Sequence, residues 1–148
     1  MIDCIEARKA LVQRYYDEMW NRWNFAVADE LISESISFRG SLGESVKGRD
    51  EFKEYMRTVQ RAFPDFHNQI EELIAEEEKI VARLKYTGTH QGTLFGIEPT
   101  GKKVSYAGIA IFRISVCVIA DTFSTETPLL TSTRLFAVIL PLMIVVPP

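Results

Sequence analysis

The apolar residues of this chain change period at Pro64, and that switch constrains the fold more than any other feature. Before Pro64 they recur every three or four positions, which puts them on one side of a helix; after it they alternate, which puts them on one face of a strand. Leu11, Val12, Tyr15, Tyr16, Met19, Trp20 and Trp23 predict a first helix running to about Trp23, opened by Asp3 and Glu6 as a capping box. Asn24 breaks it. Residues 25–32 read as a short second helix and residues 36–39 as a short strand ended by Gly40 and Gly43. A third helix follows Gly48, with Phe52, Tyr55, Met56, Val59 and Phe63 on its apolar face, and Pro64 stops it.

Beyond Pro64, residues 66–76 and 79–90 read as two long strands joined through the acidic run at Glu76, Glu77 and Glu78. Ile80, Leu84 and Tyr86 fall on one face and Arg83 and Lys85 on the other, the pattern of a sheet wet on one side. Thr100-Gly101 supplies a turn before a third strand at 103–114, and a fourth spans 118 to about 125. Helices followed by a run of strands predict an α+β fold with the helices on one face of an antiparallel sheet.

A length of 148 residues suits one domain. The net charge of -3 and the lack of a dense Lys/Arg cluster give no footing for nucleic acid. The acidic start of the chain is not a secretory signal, and Cys4 and Cys117 form neither a disulfide framework nor a metal-ligand spacing, so a reduced, cytoplasmic location is expected. With only His67 and His90 as histidines, no metal site is expected. Residues 128–148 stand apart: Arg134 is their only charge, and 135–146 are apolar throughout. Twelve residues are too few to span a membrane, which takes roughly 20. The expected division is a domain over 1–127 and an apolar tail over 128–148 that packs on the core or at a dimer interface.

Phe63-Pro64-Asp65-Phe66, Val81-Ala82-Arg83, Thr87-Gly88-Thr89-His90-Gln91-Gly92, Phe95-Gly96-Ile97, Pro99-Thr100-Gly101-Lys102 and the run from Ile109 to Ile114 follow one another in an order and spacing that resembles the SnoaL-like polyketide cyclase (ester cyclase) family. The resemblance covers about Leu11 to Asp121. It implies the cone of the nuclear transport factor 2-like and ketosteroid isomerase-like proteins, an α+β barrel of the cystatin-like kind: N-terminal helices on a strongly curved antiparallel sheet around an apolar pocket. The chain departs from the family pattern at Ser115-Val116-Cys117-Val118, at Ala110 where relatives commonly carry an acid, and in the final strand, where Asp121-Thr122-Phe123 replaces glutamate-histidine-tryptophan.

The resemblance further implies cofactor-independent chemistry on a hydrophobic carbonyl compound, in which a carboxylate in an apolar pocket removes a proton and hydrogen-bond donors hold the enolate. Asp121, in the place of the family's glutamate, is the candidate base, with Glu126 next; the alternative is an Asp121 that faces solvent from an edge strand. His90 is the candidate donor, or else a structural histidine bonded to a loop. Tyr106, on the face of Ala110 and Phe112, is either a second donor or a wall residue. Tyr16, Trp20 and Phe52 are expected to line the pocket or to be core, and Ala110 and Phe112 to face the substrate. Arg113 has the opposite parity and is expected at the surface. Two functions follow: a cyclase- or isomerase-like enzyme, or a non-catalytic small-molecule-binding or dimerisation module. A homodimer is expected in either case, because the sheet and tail carry more apolar surface than one small domain covers.

Overall fold

The computed structural model describes residues 4–40, 44–115 and 118–126, without the side chains of 121 and 123–126. The expected cap at Asp3 and the apolar tail lie outside the described residues.

Helix α1 (Cys4–Arg14) runs directly into a π-helical turn (Tyr15–Trp20). The Asn21 N–H closes that turn on the Tyr16 carbonyl, five residues back, at 2.8 Å. A π turn admits one residue more than an α turn. Here Tyr15, Tyr16, Met19 and Trp20 are all buried. Helix α2 (Val27–Leu31) is a single turn that passes straight into β1 (Ile32–Arg39), a strand twice the expected length. β2 (Ser45–Lys47), absent from the sequence reading, pairs back on β1. Three residues with one half-buried valine carry too little alternation to be read as a strand.

Helix α3 (Arg49–Ala62) buries Phe52, Tyr55, Met56, Val59 and Ala62, with Asp50 and Glu51 in its first turn and Arg61 in its last, each favourably placed in the helix dipole. Four long strands follow: β3 (His67–Glu76), β4 (Lys79–Thr89), β5 (Lys103–Ser115) and β6 (Val118–Glu126). Their bounds match the expected ones within a residue or so. β3 and β4 are joined by Glu77-Glu78, with Glu77 at φ 50°.

The sheet order is β2-β1-β6-β5-β4-β3. All neighbours are antiparallel except β1 and β6, which run parallel. Register shifts between Ile70 and Glu72 and between Arg113 and Ile114 bend the sheet, as bulges do. Among the described residues it does not close: β2 and β3 are its two edges. Helices and sheet enclose one core containing Phe52, Phe63, Leu84, Tyr106, Ala110 and Phe112. Alternation along β4 and β5 holds as predicted, with Ile80, Leu84 and Tyr86 buried and Arg83, Lys85 and Arg113 exposed.

Candidate functional site

The concave side of the sheet meets the π turn at a small, half-open cavity of about 30 Å³. Tyr15, Tyr16 and Trp20 come to it from the π turn, Phe38 and Gly40 from the end of β1, Tyr55 from α3, Phe66 and Asn68 from the start of β3, and Tyr86 from β4. That volume is about one water molecule, because the rings fill the interior themselves. Phe112 backs Tyr15 and Tyr16 edge-on at 5.1 and 5.8 Å, and Phe52 stands at 6.2 Å from Tyr15 and 6.1 Å from Trp20. Tyr86 stacks between Phe66 at 5.9 Å and Tyr106 at 4.8 Å.

The cavity is apolar in bulk but carries hydrogen-bonding groups at its edges. Burial pushes the Tyr15 hydroxyl well above its ordinary pKa; the nearby Trp20 indole opposes only part of that rise. Burial does the same to Tyr16, reinforced by the neighbouring Tyr86 and Tyr15 hydroxyls. Both hydroxyls therefore stay protonated and able to donate across the physiological range. The Trp20 Nε1–H is buried and makes no bond of hydrogen-bond geometry to a described residue, although it lies close enough to the Tyr15 hydroxyl to influence it. Asn68 is 3% exposed and held by Asn21: its N–H and Nδ2–H both donate to Asn21 Oδ1, at 2.7 and 3.1 Å, and Asn21 Nδ2 donates to its carbonyl at 2.9 Å.

Of the residues singled out in the sequence, Tyr16 and Trp20 line this cavity, while Phe52, Tyr106, Ala110 and Phe112 form the buried layer behind or beside it. His90 is fully buried but elsewhere. Its N–H donates to the Lys102 carbonyl at 2.9 Å, and its carbonyl accepts from the Gly101 N–H at 2.9 Å. The Thr100 N–H donates to Nδ1 at 3.3 Å, with the Thr100 hydroxyl also 3.1 Å from Nδ1. Nδ1 is thus the acceptor for the Thr100 N–H. The ring lies against Phe63 at 5.4 Å and fastens the 100–102 turn to the end of β4. On the Nδ1 side this is the geometry of a structural histidine, with the turn's hydroxyl and N–H as partners, while Nε2 is buried with no hydrogen-bond partner among the described residues.

Asp121 lies in β6, in register with Arg113 on one side and Ser37 on the other, both exposed. Its side chain, and that of Glu126, lie outside the described residues. The neighbouring Thr122 is buried and registers with Phe38 and Phe112. Among the described residues no carboxylate is buried, and no group of three or more His, Cys, Asp or Glu is placed to hold a metal ion. No helix among them is long and apolar enough to cross a membrane.

Asn68, Tyr86 and Tyr55 are cavity residues that the sequence reading passed over. A signal for Asn68 existed: it shares the inward parity of Phe66, and a polar residue at an apolar position in a strand needs a reason.

The polar-rimmed aromatic cavity under a π turn sits in a chain whose residues 10–122 match the family description of SnoaL-like polyketide cyclases. The chain belongs to that family. Its fold is shared by solved structures. It superposes on AclR from Streptomyces galilaeus, a proposed hydroxylase, with a TM-score of 0.71 at 27% identity over 83% of this chain and 76% of that one. A proposed SnoaL-like polyketide cyclase from Jannaschia sp. CCS1 gives 0.79 at 18% identity over 96% of each chain. TsrD from Streptomyces laurentii gives 0.74 at 18% identity over 96% and 98%. No protein of curated function matches the chain in sequence. Family membership supports a cyclase-type function for this SnoaL-like protein.

Proposed function

We propose that this SnoaL-like protein is a cofactor-independent cyclase or isomerase that binds a hydrophobic carbonyl compound at the aromatic cavity and polarises its carbonyl oxygen. The observation that carries this reading is the set of buried donors on an apolar wall: the Tyr16 hydroxyl, held protonated by burial and by its bond with Tyr86, and the Trp20 Nε1–H, which has no partner of hydrogen-bond geometry among the described residues. Donors that are already oriented, in surroundings without competing water, favour the negative charge that develops on a carbonyl oxygen as an enolate forms. Substrate must displace rings to enter, since the cavity as it stands holds about one water. His90 offers its Nδ1 to the 100–102 turn and does not line this cavity, so we assign the donor role here to Tyr16 and Trp20, with Tyr106 supporting from the second layer through its stack on Tyr86.

Proton abstraction also needs a base, and Asp121 is the residue we assign to it. The exposed register partners of Asp121, and the lack of a buried carboxylate among the described residues, favour a second reading: a pocket that binds such a compound without chemistry. One experiment separates the two. Exchange of the α-proton of a bound aryl ketone for deuterium, followed by NMR, should proceed in the wild type, slow by orders of magnitude in Asp121→Asn, and slow about 10²–10³-fold in Tyr16→Phe. Binding with no exchange above background would leave the non-catalytic reading standing. Exchange unchanged in Asp121→Asn would remove Asp121 as the base.

The chain is further proposed to dimerise, and residues 128–148 to pack on the core or at that dimer interface. Ile74, Ile109 and Ile111 on the outer face of the sheet support a dimer: they are about half exposed, and Ile74 and Ile111 both register with Val81. Sedimentation at micromolar concentration should show a species of twice 16.9 kDa; a monomer alone would refute this.

A further inference from the structure

We infer that Asn68 is a specificity residue that accepts a hydrogen bond from a hydroxyl group of the ligand, and that Asn21 is the positioning residue that turns it to do so. This rests on the reading of the aromatic cavity as the ligand site.

The orientation of the two carboxamides follows from hydrogen-bond chemistry. A backbone N–H can only donate, so the Asn21 atom 2.7 Å from the Asn68 N–H must be its oxygen. The Asn68 side-chain atom 3.1 Å from that same oxygen must then be the amide nitrogen, because two oxygens there would repel. The third bond, from Asn21 Nδ2 to the Asn68 carbonyl at 2.9 Å, requires the same arrangement of Asn21. Three bonds thus join residues 47 apart in sequence and leave Asn68 Oδ1 as the end of the amide turned away from Asn21. No described residue donates to that oxygen.

Asn68 lines the cavity, and its register partner on β4 is Tyr86, which lines it too. The other hydrogen-bonding groups at the wall, the Tyr16 hydroxyl and the Trp20 indole N–H, can donate. Asn68 Oδ1 is a pure acceptor among them. A cavity with donors for a carbonyl oxygen and a separately fixed acceptor fits a ketone that also bears a hydroxyl. An ether in place of that hydroxyl brings one oxygen against another and leaves a buried acceptor unsatisfied. The chemical class is therefore a hydroxylated aromatic ketone rather than its O-methylated counterpart.

The test compares two probes, 3'-hydroxyacetophenone and 3'-methoxyacetophenone, by ligand-observed NMR titration on the whole chain. The wild type should prefer the hydroxyl probe by about tenfold, the usual scale for an unmade buried hydrogen bond. Asn68→Leu should erase the preference by weakening the hydroxyl probe alone. Asn21→Ala should erode it by freeing the amide. A merely structural Asn21–Asn68 pair would shift both probes together. Equal binding of the two probes by the wild type, or a preference that survives in Asn68→Leu, would overturn the inference while the cavity remains a ligand site. Binding of neither probe would overturn the cavity reading and this inference with it.

Discussion

Alkaline pH offers a direct test of the protonated tyrosines on which the site depends. Tyr15 and Tyr16 are 2% and 4% exposed, and burial raises both hydroxyl pKa values above the ordinary value of about 10. In the unfolded chain both ionise near 10. Above that pH the unfolded state therefore binds fewer protons than the folded one, and stability falls as pH rises until the folded pKa is reached. The contribution is fully present below about 10. Each group costs about 1.4 kcal/mol per pH unit until its folded pKa is reached, so the pair together costs about 2.7 kcal/mol per unit on the alkaline side of about 10. A domain of this size is stable by about 5–15 kcal/mol, so an alkaline unfolding transition is expected within a few pH units above about 10. The assay follows tyrosinate absorbance and far-ultraviolet circular dichroism on the same samples. The tyrosinate signal of Tyr15 and Tyr16 should appear only together with the loss of helix signal. Tyr16→Phe should lessen the pH slope by about 1.4 kcal/mol per unit. Ionisation of all five tyrosines near pH 10 with unchanged dichroism would refute the reasoning and the donor state of the cavity with it.

Gly92→Ala should lower the melting temperature sharply, with a loss of about 2–3 kcal/mol, because its Cβ would stand 1.9 Å from the Arg61 carbonyl oxygen. The loop cannot retreat without losing the Gln91 and Gly92 N–H bonds to the Ala62 carbonyl at 2.9 and 3.1 Å. Phe112→Ala should cost about 3–5 kcal/mol in denaturant titration, since the ring is fully buried and supports Tyr15 and Tyr16. Asp65 accepts bonds from the Thr89 N–H and hydroxyl, both at 2.7 Å; burial raises its pKa, but these bonds together outweigh burial and hold it below the usual carboxylate value. Its contribution is present above the unfolded pKa of about 3.9 and is lost as pH falls through the lower folded value. The gap in melting temperature between wild type and Asp65→Ala should therefore be widest near neutrality and close in acid.

Local patterning determined the elements. Periodicity of three and four placed α1 and α3, alternation placed β3 to β5 within a residue or so, and Pro64 marked the boundary between the two regimes. Those signals survive because each depends on neighbours in the chain. The resemblance carried by the histidine-containing hairpin placed the family in the same way. What tertiary structure decided was how the faces meet. The parallel pairing of β1 with β6 depends on chain segments about 80 residues apart, and nothing local distinguishes it from the antiparallel alternative. The π turn buries Tyr15 and Tyr16 together, against Phe112 from β5 and, for Tyr15, Phe52 from α3. His90 shared the parity of Leu84 and Tyr86, yet β4 ends at Thr89, and beyond it the partners of His90 come from the 100–102 turn. Asn21 and Asn68 are each unremarkable in sequence and acquire a role only when the helical turn crosses the start of β3. A hydrogen-bonding group gains its function from what it is buried against, and burial is a property of the folded chain.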